Sequence, residues 1–233
     1  MIIAFLAALA PVAPSTAQVA NQVDCESRAG ADSAICLAIS YSKSGRPAEA
    51  AAQFEAAAQA AQGSERDRAL AAAGNMWIAA RQPGKAAIAL DRALSGTGLQ
   101  AEQRGEALLD RARVAEAQND LKTARAKLNE AAATISGDPF YWYFNAALAI
   151  REGDQATAQT AIDKALALAP GDPTVLFEAG HVAFAGGDED KARGYWMRAA
   201  AGDPTGPTGK AAAKAAEMLG VTPSVKLEPQ PPK

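Results

Sequence analysis

The chain has few of the side chains that usually carry out catalysis. Among 233 residues it has one histidine, His181, and two cysteines, Cys25 and Cys36. Neither cysteine has a histidine nearby in sequence that could act as its base, and no glycine-rich phosphate-binding loop occurs. The carboxylates are scattered, and the acidic stretch GDED at 187–190 lacks the spacing of a calcium loop. We therefore expect no catalytic residue, no cofactor, no metal site and no small-molecule substrate.

A surplus of one charge sign is also missing. The chain has 23 Lys and Arg against 26 Asp and Glu, which gives a net charge of −3, and the two signs are interspersed. Proteins that bind nucleic acid usually present a basic face or stripe. No such run is present in the sequence, so we do not expect a nucleic-acid partner.

An apolar run opens the chain, in the sequence MIIAFLAALAPVAPSTA. Its length of about 13 residues is that of a signal-peptide core and is too short for an ordinary membrane span. Small residues at Ser15 and Ala17 predict cleavage after Ala17. Residues 1–17 are then a signal peptide, 18–30 a short N-terminal segment, and the mature chain is periplasmic. Because no Lys or Arg precedes the run, an uncleaved segment that anchors the chain to the inner membrane is the alternative.

The two cysteines would both enter an oxidising compartment if the chain is exported. On one straight helix, Cys25 and Cys36 would lie about 16 Å apart, which is too far for a disulfide. Gly30 lies between them and can let the chain fold back. The sequence predicts a Cys25–Cys36 disulfide at the N-terminal end, with two free structural thiols as the alternative.

Aromatic residues are scarce, 13 in all, whereas alanine is the commonest residue. Alanine forms helix readily and lets helix backbones approach closely. Its spacing shows an internal repeat, because GDQATAQTAIDKALALAPGDP at 153–173 aligns with GDEDKARGYWMRAAAGDPTGP 34 residues later, at 187–207. The same pattern occurs three more times. Two slots, seven residues apart, hold alanine in all five repeats: Ala50 and Ala57, Ala86 and Ala93, Ala124 and Ala131, Ala158 and Ala165, and Ala192 and Ala199.

Two further slots recur in register with the alanines. The first, between the two alanines, holds a large side chain: Phe54, Leu90, Leu128, Ile162 and Trp196. The second precedes the first alanine by five residues and is mostly Gly or Asn, which are typical of the left-handed turn that ends a helix. Its members are Gly45, Arg81, Asn119, Gly153 and Gly187.

The repeat unit is therefore predicted to be a helix, a short turn and a second helix. Asp138-Pro139 and Asp172-Pro173 are typical of a helix start, with Asp as the N-cap and Pro at the first helical position. In the last repeat this places the helices at about 174–185 and 188–201.

Helical hairpins with this period and these slots resemble the tetratricopeptide repeat. Matching residues include Leu70, Gly74 and Trp77 in the second repeat, and Gly180 and Trp196 in the fifth. The resemblance covers about 31–206 and implies an all-α fold, a right-handed α-solenoid of about five hairpins, of the exported bacterial type. The hairpins are expected at 31–64, 67–100, 105–138, 139–172 and 173–206. A capping helix at 207–220 and an extended or disordered proline-rich tail at 221–233 follow.

The chain departs from the family pattern at a few positions. Arg111 and Asn145 stand where the family has Leu in the third and fourth repeats. Extra residues also lengthen the first two spacings beyond 34. They fall in SERDR (64–68) and TGLQAEQR (97–104), which we assign to the connections between hairpins.

The resemblance implies a non-enzymatic scaffold or adaptor that binds a protein or peptide in a groove lined by the first helix of each hairpin. Proteins of this exported type often serve the cell envelope. The Lys, Arg and Asn clamp by which some members grip a peptide carboxylate is absent, since the fifth slot is apolar throughout. The groove suits an extended or helical segment with apolar side chains. Its expected residues are Asn75, Ile78, Leu109, Arg113, Phe140, Tyr143, Phe177, His181 and Phe184.

Two alternatives remain open at this point. The capping helix could fold into the groove and cover Phe177 and Phe184, which would make them core residues. The protein could also be structural, self-associating or tethered to the membrane, with no peptide groove in use.

The stretch DPFYWYF, residues 138–144, contains five consecutive aromatic residues. The repeat register directs them to different sides of one helix. Phe140 and Tyr143 are expected in the groove, and Trp142 inside its own hairpin. Tyr141 and Phe144 are expected in the contacts with neighbouring hairpins.

Overall fold

The structure, a computed structural model, describes residues 24–25 and 27–220. The predicted signal peptide and the proline-rich tail lie outside these residues, as does most of the segment 18–30. Within the part described, eleven helices and no strand occur. The predicted all-α fold is confirmed. No helix among the described residues is both long enough and apolar enough to cross a bilayer.

The helices follow one another with short connections. In chain order they are α1 Gly30–Lys43, α2 Pro47–Ala60, α3 Gly63–Ala79, α4 Pro83–Ser95, α5 Ala101–Ala117, α6 Leu121–Ile135, α7 Pro139–Glu152, α8 Gln155–Leu168, α9 Pro173–Ala185, α10 Glu189–Gly202 and α11 Pro207–Met218.

The chain divides into two compact units, one up to Val114 and one from Ala115. In the first unit, α1 packs against α2, α2 against α3, and α3 against α4, so the unit contains two hairpins in sequence. In the second unit, α7 and α8 form a hairpin, α9 and α10 form the next, and α11 packs on α10 and α9. The first helices of the two hairpins, α7 and α9, also contact each other.

The alanine slots form the centre of the helix contacts. All ten have no exposed surface. Of the large slots, Leu90 and Leu128 are fully buried, Ile162 and Trp196 are nearly so, and Phe54 is half-buried. Alanine at these positions lets the two helices approach closely, while the large side chain between them fills the remaining space.

The turn slots adopt the left-handed conformation in all five repeats. The φ angles are 69° at Gly45, 77° at Gly153 and 84° at Gly187. The two other turn residues, Arg81 and Asn119, have φ angles of 56° and 62°. These are the two positive-φ residues other than glycine in the described part of the chain. The predicted turns are confirmed, and the repeat geometry holds Arg81 in a conformation that its side chain disfavours.

The starts of α7 and α9 also follow the prediction. The carboxylate of Asp138 accepts a hydrogen bond from the Phe140 N–H at 2.8 Å, and that of Asp172 accepts from the Thr174 N–H at 2.8 Å. Pro139 begins α7 in the first helical position. These caps satisfy backbone donors that have no partner inside the helix.

The placement of the extra residues in the connections is wrong for SERDR and for the second half of TGLQAEQR, because residues 101–104 lie inside α5. Residues 64–68 lie inside α3, and α3 and α5 have 17 residues each, against 14 in α1 and α2. The stretch contains no Pro or Gly and continues as helix. Its Asp67 is 1% exposed, and its carboxylate accepts the Gly98 N–H at 3.0 Å. A hydrogen bond therefore joins the two inserted segments, 64–68 and 97–104. The first of them is part of the packed structure.

Both departures from the Leu slot are accommodated by polar partners. The Nε of Arg111 lies 2.8 Å from the Asp91 carboxylate on α4, although Nη1 of the same guanidinium is buried with no hydrogen-bond partner among the described residues. The amide oxygen of Asn145 accepts a hydrogen bond from Arg125 at 2.6 Å, and Arg125 also pairs with Glu152. A buried polar group needs such a partner, so these pairs replace the apolar contact that Leu would make.

Replacing Gly153 with Ala tests the turn geometry. A Cβ at Gly153 would meet no atom within 4 Å, so the effect comes from the positive φ alone. We expect a loss of about 1–2 kcal/mol in the free energy of unfolding, measured by urea denaturation followed by circular dichroism.

Gly137→Ala is the matched control. Its Cβ also meets nothing within 4 Å, but its φ is not in the left-handed region. We expect a change within about 0.5 kcal/mol. Equal effects of the two substitutions would contradict this account of the turn.

Candidate functional site

The first unit has a groove between α3 and α5, with a volume of about 410 Å³. It lies along two helices that each begin a repeat, as predicted for a binding groove. Its wall mixes polar and apolar side chains, which include Arg68, Ala71, Asn75, Gln103, Leu109 and Asp110. We call this the unit-1 groove.

The two polar residues predicted in this groove are engaged by an acid that the sequence reasoning missed. The Asp110 carboxylate accepts a hydrogen bond from the Asn75 amide at 2.9 Å and lies 3.2 Å from the Arg113 guanidinium. The only sequence signal is that Asp110 precedes Arg113 by three residues on the same helix. Leu109 is buried, and Ile78 is half-buried against the core. Both side chains therefore contribute to packing and offer little surface to a ligand.

The second unit separates the aromatic run as predicted. Tyr141 and Phe144 are buried, 4% and 6% exposed. Burial raises the pKa of the Tyr141 phenol. Trp142 is half-buried against the core of its own hairpin, and its indole N–H donates to the carbonyl of Ser136, in the connection before α7, at 2.7 Å. These three residues supply core volume.

The other two aromatics of the run are less deeply buried than Tyr141 and Phe144. Phe140 is 43% exposed. The half-buried Tyr143 ring meets it edge to face, with ring centroids 5.7 Å apart. Tyr143 also packs against the core shared by α7 and α9. The two rings are therefore held in place by packing and by each other.

Three residues predicted in the groove share one face of α9. The rings of Phe177 and His181 are 4.4 Å apart, and His181 is 5.6 Å from Trp196 of α10. Phe184, 48% exposed, is 5.9 Å from the same Trp196 ring. Trp196 is itself buried and supports all three from beneath.

Trp196 can sit there because position 180 is glycine. A Cβ on Gly180 would lie 2.2 Å from the indole nitrogen of Trp196. The indole N–H donates to the Phe177 carbonyl at 3.0 Å, which fixes the ring plane. The repeat register placed these two residues in matching slots, but spacing alone did not show that they position the groove residues.

We call the five residues Phe140, Tyr143, Phe177, His181 and Phe184 the aromatic surface. They lie on α7 and α9, two adjacent helices of one unit. The surface is apolar apart from the hydroxyl of Tyr143 and the imidazole of His181, which lies 3.4 Å from the Glu178 carboxylate. It can contact apolar side chains and offer a hydrogen bond.

The capping helix leaves Phe184 of this surface exposed and shelters Phe177 in part. Helix α11 packs mainly on α10, and it leaves Phe184 48% exposed. Phe177 is half-buried in a cluster that also contains Ala212 and Leu219 of the C-terminal segment. The alternative in which Phe184 becomes a core residue is wrong. Phe177 is partly sheltered.

The two cysteines lie close together. The Cα atoms of Cys25 and Cys36 are 5.4 Å apart, a separation that suits a disulfide. Gly30, with a φ of 58°, lies in the segment between them and turns the chain into α1, as the sequence suggested.

No group of three or more His, Cys, Asp or Glu in the part of the chain described is placed to hold a metal ion. The geometry is that of a helical-repeat protein.

Comparison with known proteins agrees with this class. The family model described as "Tetratricopeptide repeat" matches residues 78–184. Together with the paired helices and the repeated turns, the match supports a tetratricopeptide repeat protein. Proteins of this family are in general non-catalytic interaction scaffolds, and the fold supports that role here. None of the curated proteins compared with the chain matches it.

Several solved structures share the fold. A chain of the APC/C hetero-tetramer Cut9-Hcn1 is 15% identical with a TM-score of 0.67; the match covers 81% of this chain and 36% of that one. YrrB, described as a TPR protein with an unusual peptide-binding site, is 19% identical with a TM-score of 0.54, and 85% and 98% are covered. PilW, a type IV pilus biogenesis factor, is 17% identical with a TM-score of 0.63, and 78% and 82% are covered. At these identities the likeness concerns the fold alone.

Proposed function

We propose that the protein is an exported, non-enzymatic adaptor of the bacterial cell envelope that holds a peptide segment of a partner protein. The aromatic surface is its main contact. The observation that carries this proposal is the exposure of Phe140 and Phe184, 43% and 48%, on adjacent first helices. Large side chains on these helices are otherwise mostly buried or half-buried.

A single exposed Phe on a protein surface is ordinary. Here, however, each exposed ring lies beside another aromatic ring, Phe140 beside Tyr143 and Phe184 beside Trp196. Because α7 and α9 contact each other, we treat their aromatic side chains as one strip. The supporting contacts of Trp196 and Tyr143 already order the rings, so little side-chain entropy is lost when a ligand binds. A binding site needs aromatic side chains that are already ordered. A helix face that only contacts water has no such need.

The chemistry of the strip suggests the ligand. A segment with apolar side chains spaced along an extended or helical backbone would cover the two exposed rings, and each ring fully covered contributes about 1.5–3 kcal/mol. His181 would supply a hydrogen bond. The unit-1 groove, with Asp110, Asn75 and Arg113, would suit a more polar stretch of a partner.

Two proteins of similar fold support this proposal. YrrB is described as a TPR protein with an unusual peptide-binding site, and PilW as a type IV pilus biogenesis factor. At 19% and 17% identity, neither role transfers directly to this chain.

A binding measurement tests the aromatic surface. Peptides selected by phage display on the purified chain are titrated calorimetrically against the chain and against a Phe140→Ala/Phe184→Ala variant. We expect the variant to lose at least about tenfold in affinity, since two exposed rings no longer cover the ligand, while circular dichroism shows unchanged helicity.

The control removes equally exposed apolar side chains from second helices. Leu168, 49% exposed on α8, and Met197, 61% exposed on α10, are replaced with Ala in one variant. This variant should bind like the parent chain. If no peptide is enriched, or if both double variants bind equally, the aromatic surface is not the binding site.

Export is a separate part of the proposal, and it includes the disulfide. A periplasmic chain should have lost residues 1–17 and should join Cys25 to Cys36, since the two cysteines lie at disulfide distance in an oxidising compartment.

Intact mass of the protein isolated from its native envelope tests both points. We expect a chain that begins at Gln18 and takes up no alkylating reagent until it is reduced, after which it takes up two equivalents. An N-terminus at Met1 would indicate the uncleaved membrane anchor. Two alkylated thiols before reduction would exclude the disulfide.

A further inference from the structure

The last described residues end beside the aromatic surface. Leu219 packs in the same cluster as Phe177 and Trp196. Its carbonyl accepts a hydrogen bond from Arg193 at 3.2 Å. Arg193 lies in the first two turns of α10, soon after the turn that follows Phe184. The last described residues therefore lie near the end of α9 that carries Phe184.

The segment that follows has the composition of an aromatic-groove ligand. It reads VTPSVKLEPQPPK, with four prolines in residues 221–233. Proline-rich segments in the polyproline II conformation dock on aromatic-lined grooves at low entropic cost. Val225 and Leu227 add apolar side chains between the prolines. The aromatic surface offers the complementary rings.

The segment is long enough to reach across the aromatic surface. Thirteen residues in the polyproline II conformation span about 40 Å. Along α9, the seven positions from Phe177 to Phe184 span about 10 Å, and the axis of the neighbouring α7 is about 10 Å away. About half of the segment can therefore reach across both helices after it leaves Gly220.

We infer that residues 221–233 occupy the aromatic surface of their own chain and compete with the partner segment. This inference rests on the proposed function, because it assigns a regulator to the same site. A tethered segment has an effective concentration on the order of 1 mM, so even weak intrinsic affinity keeps it bound for most of the time. The partner must then displace it.

Removal of the tail is the main test. A chain that ends at Gly220 is compared with the full-length chain in calorimetric titrations with a phage-selected peptide. If the free tail binds with a Kd of about 0.3 mM, its removal should raise the affinity for the selected peptide about fourfold. Unchanged affinity would overturn the inference and leave the proposed function intact.

The synthetic tail provides an independent measurement. VTPSVKLEPQPPK should bind the chain that ends at Gly220, and Phe140→Ala/Phe184→Ala in that chain should abolish the binding. Replacing Pro229, Pro231 and Pro232 of the peptide with Ala should weaken it. The Leu168→Ala/Met197→Ala pair serves as the control.

If the tail peptide does not bind at about 1 mM, the inference is wrong. If it binds and no external peptide does, the proposed function fails and the tail contact stands.

Crosslinking decides whether the contact is within one chain. Benzoyl-phenylalanine in place of Phe184 should crosslink to residues 221–233 at the mass of a monomer. The same group in place of Met197 should not. Crosslinked dimers that join Phe184 of one chain to the tail of another would replace the intramolecular contact with one between two copies, and would overturn the inference as stated.

Discussion

The complete burial of alanine on the second helix of every hairpin is the constraint on which the rest of the structure depends. All ten repeated alanines are fully buried, two per repeat and seven residues apart. Because alanine fills so little volume between paired helices, each helix can pack closely on its partner only through its alanine face. The other faces are then also fixed. The direction of each aromatic side chain follows from this register, since helical geometry assigns every position to one side.

Alanine buries little area, so a few large residues must supply the rest of the core. Tyr141, Phe144 and Trp196 do so, and Trp196 also supports the rings of His181 and Phe184. Trp196 therefore both fills the core and positions the rings of the aromatic surface. Gly180 makes this possible, because any Cβ there would collide with the indole. The rings that remain outside are held rigidly by residues that cannot change without cost to stability.

Residue spacing predicted the hairpins, the left-handed turns and the division of the aromatic run, because these depend on contacts within one repeat. It failed where contacts join distant segments. Asp67 binds Gly98 across two inserted stretches, and Asp110 engages Asn75 from the next repeat. Arg111 and Asn145 each broke the family pattern, and their partners Asp91 and Arg125 lie 20 residues away. Such pairs leave no periodic signal, so they become visible only once the helices are packed.

The central claim is that partner segments bind the first helices of the second unit through the aromatic surface. Chemical-shift mapping of the isotope-labelled chain, saturated with a selected peptide, tests it most directly. The account predicts that the largest shifts occur at Phe140, Tyr143, Phe177, His181 and Phe184, while Leu168 and Met197 on second helices are unaffected. Largest shifts on α8 and α10, with the aromatic surface unchanged, would contradict it.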